Sequence, residues 1–519
     1  MLWWFKMEQS DINITRNLSD LLDQCRQSAE LYSSGDLKEV KVVAVEYDSR
    51  KVTEGAVFVA VEGFETDGHG FIDAAIAKGA AAVVVSRKRA GDYLHLDRKS
   101  ITLLVSDNTR KALSCLSAAF YDNPSRKMKV IGITGTNGKT SITYMIESVL
   151  KGNGLETGVM GTINYRWGGV ERPAPNTTPE SRDMQEMFYR MHRDGVRAVV
   201  MEISSHALEL NRADDIDLDA AVFTNLTRDH LDFHHDFEAY FSAKKRIFSI
   251  LDRSTKEKKI GIVNGDDEYG ARILKNRKNY SYPIVSFGVD SDAYFRTDRK
   301  SIVNEISGLS YVLESPEKGL SVSLHLAGTF HVYNSLAALA TLVSLDVPYT
   351  VIQQGLEKLK SVPGRFDTIT TDLGFGVVVD YAHTSDALQK LLDSVNELKK
   401  NRIITVFGCG GDRDRTKRPI MGKIAVDFSD HVIVTSDNPR TEEPAAIIRD
   451  ITAGIEKNNY DVESDREKAI AMAVAMGEPG DIIVIAGKGH EDYQILGRNK
   501  IHFDDHEIAS KYIREREKA

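Results

Sequence analysis

Four stretches of this sequence carry side chains whose types and spacing could do chemistry. The first, "ITGTNGKTS", sets Gly135, Thr136, Asn137, Gly138, Lys139, Thr140 and Ser141 between an apolar run and a segment of helical period. Glycines let backbone N–H groups approach phosphate oxygens, and the start of a helix adds partial positive charge. Lys139 suits the β- and γ-phosphates of ATP, and Thr140 suits Mg2+. The complete phosphate-loop pattern asks for glycine at position 133, where Ile133 stands. The core GxxGKT keeps its strand–helix setting. A tight turn with an incidental lysine is the plainer alternative.

A phosphate loop needs an acidic metal partner at the end of a neighbouring strand. "RAVVMEISSHALEL" offers Glu202 after four apolar residues. In "FTNLTRDHLDFHHDFEAYFSAKKRIF", His230, His234 and His235 match no standard zinc spacing. His230 is the candidate Mg2+ ligand, and the others read as polar loop histidines. Lys244 and Lys245, early in the following helix, both read as solvated. The fourth stretch, "TSDNPRTEEP", gathers Asp437, Asn438 and Arg440 around Pro439. Asn-Pro commonly starts a turn, and this one could be sealed by its own salt bridge. It could equally be a socket for a molecule carrying both a carboxylate and an ammonium.

Such residues must be held by a scaffold, and the scaffold is legible. The chain has 519 residues, too long for one core. Strand-length apolar runs alternate with helical segments, the mark of α/β folding with largely parallel sheets. Three blocks emerge: 1–127, 128–361 (the phosphate-loop domain) and 362–519 (a Rossmann-like domain). "NTRKALSCLSAAFYDNPS" reads as a helix capped by Asn108 and ended at Asn123-Pro124.

With 42% hydrophobic and 28% charged residues and a net charge of −9, the composition is that of a soluble protein. The charge argues against nucleic acid or an anionic membrane as partner. Cys25, Cys115 and Cys409 are far apart and odd in number, which suits a reducing compartment without disulfides. Residues 1–15 read as a ragged leader that is a poor signal peptide, with Met7 an alternative start. No apolar stretch reaches membrane-spanning length. A cytoplasmic monomer is expected.

The motif series "GTNGKT", "EISSHAL", "TNLTRDHLDFH", "AGTFHVYN", "VPGRFD" and "VDYAHTSDAL" resembles that of the Mur ligases. These are ATP-dependent amide-forming enzymes of peptidoglycan precursor synthesis, and the motifs arrive in family order over about residues 40–495. "DSRKVTEGAVFVAVEGFETDGHGF" and "NTTPES" resemble the branch that adds the third residue to UDP-N-acetylmuramoyl-L-alanyl-D-glutamate. The resemblance implies that Lys244 becomes a carbamate and binds Mg2+ with Glu202 and His230. It implies that His331, Asn334, Arg365 and Asp380 hold ATP. Tyr47, Ser49, Phe64, Glu65 and Thr66 would form the uridine-nucleotide pocket, and Asn176, Thr177, Thr178, Ser204 and Arg212 would hold the rest of that substrate. Leu210 departs from a glutamine, and His331 from an asparagine, found in relatives.

The implied reaction runs through an acyl phosphate, which must be kept from water; closure of the third domain over the second would serve that. In relatives that add meso-diaminopimelate the same DNPR motif reads the second amino-acid head of the acceptor. Arg440 would pair with its carboxylate, and Asp437 and Asn438 with its ammonium, while Arg413, Gly487 and Glu491 match further contacts. A lysine-adding ligase is the nearest rival. A folate polyglutamylating ligase lacks the uridine-nucleotide domain, and a nucleotide-gated switch would turn over no ATP on behalf of two amide partners.

Overall fold

The computed structural model describes residues 12–25, 31–33, 37, 40–63, 66–96, 101–315 and 319–518. Phe64, Glu65 and most of the leader lie outside the described residues. The chain divides into two compact units, one of residues 1–286 with 340–346 and one of residues 287–339 with 347–519.

The first unit opens with helix α1 (Leu18–Cys25) and strands β1 (Leu31–Ser33), β2 (Ala44–Glu46), β3 (Ala56–Val59), β4 (Ala82–Ser86) and β5 (Thr102–Ser106), followed by helix α2 (Thr109–Phe120). The strand order is β1-β5-β4-β3-β2, parallel except for β1. Side chains alternate between the sheet's faces. Val57, Val59, Val84 and Leu104 face Leu21, Leu113 and Leu116, while Phe58, Val83, Val85 and Leu103 pack with Ile72 and Ala75. Asn108 caps α2 as the sequence suggests, its side chain accepting from the N–H groups of Arg110 and Lys111.

One cysteine expectation is corrected here. Cys25 and Cys115, 90 residues apart in sequence, form a disulfide, and Cys409 is free and buried. Both half-cystines sit in the single core cluster that α1 and α2 share against the sheet. Sequence separation hid a proximity that helix packing creates.

The central sheet follows with β6 (Lys129–Thr134), α3 (Lys139–Gly152), β7 (Thr157–Met160), α4 (Ser181–Arg193), β8 (Ala198–Glu202), α5 (Ser205–Glu209), β9 (Ala220–Phe223), α6 (Phe237–Arg253) and β10 (Ile260–Asn264). Its parallel strands run β7-β8-β6-β9-β10. Because β6 lies between β8 and β9, the phosphate loop leaves the sheet beside the carboxyl ends of the strands that carry Glu202 and the 224–230 loop.

Helix α7 (Phe330–Ser344), whose residues 330–339 belong to the second unit, begins with the "FHVYN" motif. A six-stranded sheet then forms from β11 (Asp367–Thr370), β12 (Gly376–Asp380), β13 (Ile403–Phe407), β14 (His431–Val434), β15 (Tyr460–Val462) and β16 (Ile482–Ala486), in the order β11-β12-β16-β13-β14-β15. Only β11 runs antiparallel. Helices α8 (Lys417–Phe428), α9 (Arg466–Met476) and α10 (Asp505–Glu517) flank it, and β17 (Tyr493–Leu496) pairs with β18 (Asn499–His502) as a hairpin. Ile404, Val406, Ile433, Ile483 and Ile485 bury one face against Ile470 and Ala473 of α9 and Ile513 of α10. Strands covered on both faces read as unbroken apolar runs, which is why "RIITVF" and "DIIVIA" stood out.

Candidate active site

The phosphate loop is held by backbone conformations that only glycine enters freely. Gly135 has φ +148°, and a Cβ there would lie 1.8 Å from Thr224 Oγ1. Gly138, at φ +88°, is the N-cap of α3. The loop leaving β9 clasps it: Thr136 N–H donates to the Asn225 carbonyl, Asn137 N–H to Asn225 Oδ1, and Thr224 Oγ1 to the Asn137 carbonyl. Thr227 N–H donates to Thr136 Oγ1. Thr140 and Ser141 are buried in the first turn of α3.

Two lysines meet at one carbonyl. Lys139 Nζ donates to Gly135 O at 2.9 Å, and Lys244 Nζ donates to the same oxygen at 2.7 Å. Lys244 is fully buried, with its Nζ 4.5 Å from the centre of the Tyr240 ring. Burial first, and then Lys139, hold its pKa well below the usual lysine range. Lys245, one residue on, is exposed. The surface reading of both lysines is thus corrected for Lys244: the helix face it occupies looks onto the phosphate loop.

Glu202 ends β8 in register with Ile133 of β6 and is buried. Its carboxylate accepts from the N–H and Oγ1 of Thr162, both at 2.9 Å. Gly161 allows that approach, since a Cβ there would stand 2.5 Å from Glu202 Oε1. His230, at φ +51°, is half-exposed beside Asp229, and its ring meets that of His206 edge-on at 4.8 Å. Among the described residues no cluster of three or more His, Cys, Asp or Glu side chains is set to hold a metal. Thr140, Glu202 and His230 therefore supply a single carboxylate, a hydroxyl and an imidazole. Mg2+ prefers oxygen ligands and negative charge, and of these three side chains only Glu202 brings an anion.

Of the residues implied for the uridine-linked substrate, Tyr47 meets α4, and Thr178, Ser204 and Arg212 lie together at the end of β8 and around α5. Tyr47 donates its hydroxyl to Asp183 Oδ2 at 2.7 Å, so that group braces α4. Ser49 is half-buried and Thr66 exposed. The Asn176 carbonyl accepts from the Tyr165 hydroxyl, and Thr177 Oγ1 lies 3.2 Å from Thr162 Oγ1. Thr178 Oγ1 donates to the Glu202 carbonyl and accepts from Ser204 N–H, while the Ser204 hydroxyl caps α5. Arg212 donates to the Thr178 carbonyl at 3.3 Å, and its Nε is 3.2 Å from Glu180 Oε2. Arg110 of α2 approaches the same Glu180 oxygen at 3.2 Å. Leu210 follows α5 as its C-cap.

In the second unit, His331 and Asn334 are buried on the first turn of α7, with His331 Nδ1 3.3 Å from Asn334 Nδ2. Burial pushes the His331 imidazole down to about 3, only partly opposed by the Arg365 backbone, and its Nε2 has no hydrogen-bond partner among the described residues. Asp380 accepts from the N–H groups of Phe366 and Ala382, and burial raises its pKa. The Arg365 guanidinium lies 5.3 Å from the Tyr381 ring centre.

The DNPR stretch leaves β14 beside the loops that leave β13 and β16. Asp437 and Asn438 are buried. Asn438 Nδ2 donates to Glu491 Oε2 at 2.7 Å, and its Oδ1 accepts from Ile495 N–H. A Cβ on Gly487, whose φ is +118°, would stand 2.7 Å from Asp437 Oδ2. Arg440 holds φ +52° because its N–H donates to the Ile495 carbonyl and its carbonyl accepts from Gly497. Its guanidinium donates to the Gly411 carbonyl at 2.7 Å, away from Asp437. Arg413 sits on that facing loop, donating to the Asp412 carbonyl. Among the described residues Asp437 and Arg440 form no salt bridge with each other; with Glu491 and Arg413 they stand on three loops at the carboxyl edge of a parallel sheet, where ligands bind in such folds.

Three family models match the chain: the Mur ligase family catalytic domain over residues 41–121, the Mur ligase middle domain over 133–342, and the Mur ligase glutamate ligase domain over 364–489. The chain is 45% identical over 471 residues to the UDP-N-acetylmuramoyl-L-alanyl-D-glutamate--2,6-diaminopimelate ligase of Clostridioides difficile, covering 90% of this chain and 94% of that one. It belongs to the Mur ligase family. The corresponding ligase 1 of Clostridium acetobutylicum is 43% identical, with 93% and 96% covered. A solved structure of a ligase of that name aligns with TM-score 0.69 at 31% identity, over 93% of this chain and 97% of that one. A Mycobacterium tuberculosis folylpolyglutamate synthase shares the fold alone, at 18% identity and TM-score 0.57 over 72% of this chain and 91% of that one.

As a Mur ligase, the chain has the expected three-domain α/β architecture with mostly parallel sheets. Sequence reading missed Thr162, which holds Glu202, and Glu180, which faces two arginines. It also missed the clasp of Thr224, Asn225 and Thr227. The "TNLT" spelling could have signalled that clasp, because short hydroxyl and amide side chains after a strand bond readily to a neighbouring loop.

Proposed function

We propose that this Mur ligase joins meso-diaminopimelate to the D-glutamate of UDP-N-acetylmuramoyl-L-alanyl-D-glutamate, using ATP, in peptidoglycan precursor synthesis in the cytoplasm. The names of its relatives support this, and one observation carries the choice of acceptor. Asp437, Asn438 and Glu491 converge beside Gly487 while Arg440 turns toward the facing loop. Carboxylates and an amide suit an ammonium, and a separate guanidinium suits a carboxylate, so one amino-acid head can be read at both ends.

The γ-carboxylate of D-glutamate attacks the γ-phosphorus of ATP, giving an acyl phosphate and ADP. The amino group of the acceptor then attacks the acyl carbon, loses a proton and expels phosphate. Lys139 and the N–H groups at the start of α3 stabilise charge on the transferred phosphoryl group. Lys244, whose burial favours the uncharged amine, is the nucleophile for CO2: the amine nitrogen bonds to carbon, a proton leaves, and a carbamate anion results. Mg2+, held by Thr140, Glu202, His230 and that carbamate, would neutralise phosphate charge. His331, Asn334, Arg365 and Asp380 serve the nucleotide.

The test is phosphate release with UDP-muramoyl-dipeptide against a panel of amino acids. Turnover should require both amide partners and favour meso-diaminopimelate. Turnover with lysine alone would overturn the acceptor reading, and turnover without any acceptor would overturn ligation.

A further inference from the structure

We propose that Arg466, paired with Asp505 beneath the socket, is a positioning residue that sets the spacing of the Asp437 and Gly487 loops and thereby the affinity for the acceptor. The proposal rests on the reading of those loops as the acceptor socket.

Arg466 opens α9, Asp505 opens α10, and both side chains are fully buried. The pair is bidentate, Nε to Oδ1 at 2.8 Å and Nη2 to Oδ2 at 2.7 Å. The guanidinium's remaining reach goes to two carbonyls: Nη2 donates to Ala486 O at 3.1 Å, and Nη1 approaches Ser436 O at 3.4 Å. Ala486 immediately precedes Gly487, and Ser436 immediately precedes Asp437. These residues leave β16 and β14, which are not neighbours, because β13 lies between them. No ladder bond joins those strands directly, and their axes lie two strand steps, roughly 9–10 Å, apart, yet both carbonyls reach one guanidinium within 3.4 Å. The planar fork of Arg466 thus ties the two strand ends together, beneath the Asn438–Glu491 and Gln494–Asp437 hydrogen bonds that join the loops farther on.

Charge gives the pair a second role. Burial lowers the Arg466 pKa, but Asp505 first and then Asp437 and Glu491 hold it above the usual range. Its positive charge therefore lies behind the carboxylates offered to the acceptor's ammonium, and Asp505 neutralises it so that it does not repel that ammonium. For stability alone an apolar pair of similar volume would serve as well as a buried ion pair. Apolar side chains could not hold the two carbonyls.

The experiment compares wild type with Arg466→Met/Asp505→Leu, which removes both charges and strands neither. It should melt near the wild-type temperature, with KM for meso-diaminopimelate raised about a hundredfold, as for an ångström-scale misplacement. KM for ATP and for UDP-muramoyl-dipeptide should stay within about twofold, less than 0.5 kcal/mol. Should the double variant not fold, Arg466→Lys, which keeps the charge but loses the fork, should still raise the acceptor KM selectively. An unchanged acceptor KM, or equal rises for all three substrates, overturns the proposal. Arg440→Ala, run in parallel, separates the two ideas. If Arg440→Ala leaves acceptor selectivity intact, the socket reading fails; if it abolishes selectivity while the Arg466 variants behave as wild type, only the positioning role fails.

Discussion

Lys244 and Lys245 differ because a helix turns about 100° per residue, which carries one into the core beside Gly135 and leaves the other in water. Burial disfavours the charged form of an amine, and a neutral amine is what CO2 requires. Lys244→Ala should be nearly inactive and should recover activity with added short-chain carboxylates, whereas Lys245→Ala should stay within a few-fold of wild type. Intact mass under bicarbonate should show one carbamate; an unmodified Lys244 in active enzyme would remove the idea. Arg440 admits a sharper test, because its guanidinium has a neutral backbone partner, Gly411, which a substrate carboxylate can replace. Arg440→Ala should cost on the order of 2–5 kcal/mol in kcat/KM for diaminopimelate, roughly thirty- to several-thousand-fold. Weak turnover with lysine, which lacks the distal carboxylate, should fall far less. Equal losses would mean that Arg440 only braces the turn.

Loops at strand ends are the elements that make this site. The 135–138 loop keeps its shape because the 224–227 segment donates to and accepts from it, and Gly135 permits the contact. Gly135→Ala places a Cβ against Thr224 and demands a φ that L-residues avoid, so the clasp must open. We expect ligation to fall on the order of a hundredfold, as for other ångström-scale misplacements. Binding of the UDP-linked substrate should persist, and the melting temperature should drop modestly. Wild-type kinetics in this variant would show that the loop's conformation is not what binds ATP.

At the scale of the whole molecule, α1 is joined to α2 through Cys25 and Cys115. A cross-link closing so long a loop stabilises by about 2–4 kcal/mol, largely by restricting the unfolded chain. Reductant should lower the melting temperature, and denatured, unreduced protein should expose one thiol, Cys409. Three thiols titrating without reductant, with no change in melting, would contradict the bond. The sequence alone determined the local features: the strand–glycine–helix order of the phosphate loop, the Asn108 cap, the apolar strands and the α/β class. Each depends on contiguous residues whose conformational preferences act within a few positions. Only the tertiary structure decided that Lys244 is buried and Lys245 is not, that two cysteines 90 residues apart meet, and that Asn438 reaches Glu491 from another strand. Desolvation and charge pairing arise from neighbours distant in sequence, and a chain does not reveal those neighbours until its sheets have ordered their strands.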